Sequence, residues 1–136
     1  MTDLRPLSVL RTGGLIDIRE SADGARVLCV DLSRSTSDTL VITHAALDDH
    51  RGGLVDLALE ALCDQRVLSR EIRTLRFAGI GPTSAGAEDR NETVRRHDLI
   101  CAHVRSFAAR HGVLVRDAYL APKAFSFDTL VLLEQS

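Results

Sequence analysis

Two histidines, His44 and His50, flank a short turn that ends in Arg51, Gly52 and Gly53. An imidazole beside a glycine-containing helix start can act as a general base, because its neutral form is available near neutral pH. The amides of a first helical turn lack intrahelical partners and the helix dipole is positive there, so such a turn can hold a phosphate or another oxyanion. Tyr119, the single tyrosine, is a third candidate, as an acid beside a thiolate or amine. Each residue type also answers to a structural role, as a core or surface histidine or an amphipathic strand tyrosine. The candidate set is His44, His50 and Tyr119 for proton transfer, with Arg51, Gly52 and Gly53 for the anion of a cofactor.

Metal chemistry finds less material. His97 and Cys101 stand one helical turn apart, but no second close pair completes a four-ligand zinc set. Asp56, Glu60 and Asp64 recur at four-residue spacing; carboxylates in that row repel one another and read as a solvated acidic stripe. No metal site is expected. The chain lacks GxSxG, GxxxxGK, a dinucleotide fingerprint and an HxE paired with CxxC.

The elements that must position the candidates follow from periodicity. Residues 40–65 carry a β-branched apolar run, a polar turn with two glycines, and an apolar helix bearing the acidic stripe. Two strands precede that run, one over Leu15, Ile16 and Ile18 and one over Val27, Cys29 and Leu32, with Asp23-Gly24 as a hairpin turn between them. Ser33 to Ser37 forms a polar loop, whose hydroxyls suit turn chemistry better than an anion site. Beyond the helix, Ile72, Leu75, Phe77 and Ile80 predict a buried strand, giving a right-handed βαβ unit. A loop of Gly79, Gly81, Pro82, Thr83, Ser84 and Gly86 is expected at its carboxyl end, where ligands of open α/β sheets usually sit.

A second helix is predicted over 88–111, with Val94, His97, Cys101, Val104 and Ala108 on its core face and Gly112 as its stop. Arg90, Arg95, Arg96, Arg105 and Arg110 make its other side basic, with Glu92 and Asp98 as partners. Strands over 113–120 and 129–134 close the chain through a long hairpin. The expected fold is α/β in the α+β sense: a mixed sheet with chain order β-β-β-α-β-α-β-β and two helices. Residues 1–14 are expected as an N-terminal arm and 15–136 as a single α/β domain.

Composition narrows the class. At 136 residues, 45% apolar and 26% charged, the chain suits one globular domain. A net charge of −2 gives no overall attraction to nucleic acid, and 4% aromatic content gives bases little to stack on. Cys29, Cys63 and Cys101 are scattered and odd in number, which predicts free thiols in a reducing compartment. No run approaches the ~20 apolar residues of a membrane span, and residues 1–10 lack the pattern of a signal peptide. A cytoplasmic protein without nucleic-acid or membrane partners is expected.

The element order resembles the trailing part of the GCN5-related N-acetyltransferase fold, over residues 15–134. In that family the third of these strands feeds a glycine-containing turn that binds the pyrophosphate of acetyl-CoA. Here Asp49-His50-Arg51-Gly52-Gly53 stands at that place, and FAARHGVLV (residues 107–115) is similar to the family's helix end, glycine and apolar strand. The resemblance implies a domain that binds acetyl-CoA or another acyl-CoA, or transfers its acyl group, with a non-catalytic relative included. The family pattern is Arg or Gln, two residues, Gly, one residue, then Gly or Ala; Gly52 and Gly53 are adjacent here.

The same order also resembles the small RidA-like and chorismate-mutase-like oligomers, whose small-molecule sites lie between subunits; Arg116 and Glu134 stand at places comparable to their Arg and Glu. A third expectation is a non-enzymatic dimerising accessory or regulatory domain. A small-molecule ligand and a homo-oligomer are therefore the expected partners.

Overall fold

The computed structural model describes residues 7–20, 24–47, 54–84 and 86–135. Four strands open it: β1 (Ser8–Thr12), β2 (Leu15–Arg19), β3 (Arg26–Asp31) and β4 (Thr39–Ala45). Helix α1 (Leu54–Asp64), strand β5 (Thr74–Pro82), helix α2 (Ala87–His111) and strands β6 (Val113–Pro122) and β7 (Ser126–Gln135) follow. They form one seven-stranded sheet in the order β1-β2-β3-β4-β5-β7-β6. All neighbours are antiparallel except β4 and β5, which α1 links as a parallel pair. The α+β class, mixed sheet and chain order from residue 15 onward agree with the sequence reading.

Residues 1–14, expected as an arm, instead contribute a strand: Ser8–Thr12 pair in register with β2, turning at Gly13, whose φ of 59° suits a glycine. The long final hairpin is also shorter than expected. Strands β6 and β7 extend to Pro122 and from Ser126, and Lys123 N–H donates to the Ser126 carbonyl at 2.8 Å across the loop.

Alternation on the strands sends Ile16, Ile18, Leu28, Val30, Leu40, Ile42, Leu75, Phe77, Val131 and Leu133 to one sheet face. Val55, Ala58, Leu59 and Leu62 of α1 and Ile100, Val104, Phe107 and Ala108 of α2 pack on that face in a single cluster. The helices share one side, and the opposite face carries Arg76, Leu130, Leu132 and Tyr119.

The acidic stripe of α1 is solvated only at its far end, where Asp64 is exposed; for the other two carboxylates the sequence expectation fails. They turn to α2: Asp56 is buried and its carboxylate lies 2.7 Å from His103 Nδ1, while Glu60 meets Arg110 at 3.3 Å and His111 at 3.0 Å. Two imidazoles and the Arg110 guanidinium from the neighbouring helix replace the water that these carboxylates would otherwise need. On α2, Val94 is 47% exposed and Thr93 is buried, so the core face is rotated from the predicted one at the helix start. Thr93 bonds back to the Asp89 carbonyl, which satisfies its hydroxyl inside the apolar contact.

Candidate functional site

The central parallel pair is zipped only in part. Thr39 to Ile42 pair with Thr74 to Phe77, and the ladder stops there. Each strand is irregular at the point of parting. On β4, Val30 faces Ile42 and Cys29 faces His44, so Thr43 is an extra, bulged residue. On β5, Phe77 faces Thr129 and Gly81 faces Phe127, so Ala78, Gly79 and Ile80 stand opposite Asp128 alone.

The β5 bulge has identifiable causes. Gly79 takes φ 67°, a left-handed conformation that penalises any Cβ. Its N–H has lost its ladder partner and donates instead to Asp128 Oδ1 at 3.0 Å, while Arg76 Nε donates to Asp128 Oδ2 at 2.7 Å. Asp128 is buried, and these two donors satisfy its carboxylate. Gly81 then passes so close to α2 that a Cβ there would fall on Thr93, 2.9 Å from its Cβ and Cγ2.

The parting opens a cleft of about 530 Å³ on the helix side, floored by Ile42, Phe77, Ala78 and Ile100 and walled by His44, Ala46 and Leu47. Arg95 and Arg96 of α2 stand at its rim. Arg96 Nη1 donates to the Ile80 carbonyl at 3.1 Å, and both arginines pair with Glu92. The hydrogen bond from Arg95 leads the effects that hold the Glu92 carboxyl down to about 2. A second cavity of about 450 Å³ opens on the helix-free face and shares Thr43, Ala78 and Gly79 with the first. The gap between the parted β4 and β5 is a slot, with one cavity at each face of the sheet as its mouths.

Of the sequence candidates, His44 lies at the helix-side cleft. His50, Arg51, Gly52 and Gly53 lie outside the described residues. Tyr119 is 43% exposed on β6, opposite Leu130, and lines neither mouth. With β5 and β7 between them, β4 and β6 are three strand spacings, about 14 Å, apart, so Tyr119 and His44 do not meet. Arg116 and Glu134 do approach, at 3.8 Å, as an exposed pair on β6 and β7.

The residues that sequence reasoning missed are Asp128, Arg76 and Thr43. One signal pointed to the bulge: Leu75 and Phe77 are two apart, whereas Phe77 and Ile80 are three apart, and a regular strand would not bury all three.

His97 and Cys101 lie under β7. His97 Nδ1 is 2.9 Å from Thr129 Oγ1 and its Nε2 is 3.7 Å from the Cys101 sulfur. Burial lowers the His97 pKa and raises that of Cys101, which keeps the ring neutral and the thiol protonated. Burial also pushes Cys63 up to about 11, so neither thiol is an activated nucleophile. Among the described residues, no group of three or more His, Cys, Asp or Glu is placed to hold a metal ion. Nor is any helix among them long and apolar enough to cross a membrane.

Fold and site together define a two-layer α+β protein with a cleft at the carboxyl ends of its one parallel strand pair. Comparison with protein-family models, with curated proteins and with solved structures finds no match for this chain.

Proposed function

We propose that the chain is an acyl-CoA-binding domain of the GCN5-related N-acetyltransferase type, with the acyl thioester seated between β4 and β5. The single observation that carries this reading is the parting of the two parallel strands after Ile42 and Phe77. A strand edge released from its neighbour offers main-chain N–H and C=O groups at a regular spacing. An extended chain bearing amides, such as the pantetheine arm of CoA, can pair with that edge as an added strand does. Apolar Ile42, Phe77 and Ile100 suit its methylene segments, and the cationic rim of Arg95 and Arg96 suits its anionic end.

The bound group would supply an activated thioester carbonyl. His44 lines the cleft and is exposed, which supports its imidazole as the group that would take a proton from an attacking amine. Ile42, Phe77 and Ile100 exclude water from the floor of the cleft.

Calorimetric titration with acetyl-CoA tests the reading. Saturable binding is expected, weakened at least about tenfold by Thr43→Glu, which places a carboxylate at the mouth of the slot without disturbing the core. An intact fold with no heat of binding would exclude it. In an assay of thiol release, His44→Gln is expected to lower turnover about a hundredfold while acetyl-CoA binding is retained. Equal turnover would remove His44 from proton transfer.

A further inference from the structure

Resting on that reading, we infer that the helix-free mouth of the slot is the acceptor site, and that it takes a small amine carrying a carboxylate or phosphate. Three basic side chains, Arg34, Arg76 and Lys123, line this cavity, against the single acid Asp128. They come from three separate elements: the β3–β4 loop, strand β5 and the β6–β7 loop. Their convergence is produced by the tertiary fold and is not a run of charge along one surface helix.

The state of each cation matters. The Asp128 carboxylate is already committed, to Arg76 Nε and to the Gly79 N–H. Among the described residues, Nε is the only Arg76 nitrogen so engaged, so the outer edge of its guanidinium remains for a ligand. Lys123 makes no ion pair among the described residues, although its main-chain N–H is held by Ser126, which fixes the loop that presents it. Arg34 follows Ser33, whose hydroxyl and N–H are spent on Asp31, and the loop is braced again where the Ser35 hydroxyl bonds the Asp31 carbonyl and the Val41 N–H. Arg34 is therefore carried on an ordered loop.

A planar guanidinium beside a second guanidinium and an ammonium suits an oxyanion, since carboxylate and phosphate oxygens can accept from several fixed N–H groups together. Phe125, 88% exposed on the same loop as Lys123, lines the rim and offers an apolar surface for the body of the ligand. A molecule anchored at this mouth would lie against Thr43, Ala78 and Gly79, the residues that also line the helix-side cleft, and would approach the thioester past them. The basic triad would orient the acceptor so that its amine enters the slot.

Titration of the full, isotope-labelled chain with inorganic phosphate, and separately with acetate, at constant ionic strength tests this by amide chemical shift. Saturable shifts at Gly79, Lys123, Phe125 and Ser126 are expected for at least one of the two, and the responding anion names the acceptor's charged group. Lys123→Glu, on an exposed loop, should weaken that binding by about fivefold, the upper range for a partly exposed ion pair, and leave the rest of the spectrum in place. No shift at those amides, or equal shifts along the arginines of α2, would overturn the inference. Coenzyme A added to the same sample reports through Ala46, Leu47 and Ile100. A CoA response without an anion response defeats the acceptor site alone, and an anion response without a CoA response defeats only the acyl-CoA reading.

Discussion

His97 is a histidine whose surroundings favour the uncharged ring: burial dominates, and Nδ1 is held 2.9 Å from Thr129 Oγ1. Its pKa in the fold lies below the ordinary 6.5, so as pH falls the unfolded chain takes up the proton first. The stabilising contribution is fully present above about 6.5 and is lost as pH falls through the folded value. Urea midpoints measured at pH 7.5 and 5.5 should therefore drop, and drop less in His97→Gln; an equal drop in both proteins would place the acid sensitivity elsewhere. Asp128 is the residue on which the β5 bulge depends. Asp128→Ala leaves Arg76 and the Gly79 N–H without their acceptor and is expected to cost about 2 kcal/mol in denaturant unfolding. Asp128→Asn keeps an acceptor for Gly79 and should cost less.

Among the elements, β5 decides most. It enters as an ordinary core strand, paired on both sides through Leu75 and Phe77, then bulges at Gly79 and runs against α2 at Gly81. Gly81→Ala must push strand and helix apart, and a loss of about 2 kcal/mol with weakened acetyl-CoA binding is expected, because α2 carries the arginines of the rim. Retained stability would mean that Thr93 swings aside. Helix α1 is held differently. Its apolar face enters the shared core while Asp56 and Glu60 receive His103, Arg110 and His111 from α2, so the two helices are joined by charge as well as by packing. Gln135 ties the end of α1's connection to the sheet by donating to the Ser69 and Ile72 carbonyls at 2.9 and 2.8 Å.

At the scale of the whole molecule, the sheet as formed by the described residues has a helix-covered face, a face without helices and two edge strands, β1 and β6. Central β3 and β4 bury Val27 to Val30 and Leu40 to Ile42 without interruption, whereas β6 exposes alternate residues, with Leu114 at 61%. Amide hydrogen exchange should be slowest in β3, β4 and the first half of β5 and fastest in β1 and β6. Slow exchange along all of β6 would instead show that its edge is covered, by a second copy or another partner. The sequence by itself determined the elements from residue 15 onward, because hydrophobic period and glycine stops are local properties: the βαβ unit, α2 with its Gly112 stop and the closing hairpin are all legible in it. It could not show that Ser8–Thr12 form a strand, since an edge strand with half-exposed side chains has no clear period. Nor could it show that Asp56 and Glu60 of the acidic stripe face α2 while Asp64 faces water, because a charged stripe looks the same whether water or another helix neutralises it. His44 was legible as a candidate by its place at a strand end. The slot was not: Thr43, Gly79 and Asp128 lie on three strands, and Asp128 is 49 residues from the amide it satisfies. Only the tertiary structure brings a carboxylate to that distant amide, and with it decides where β4 and β5 part.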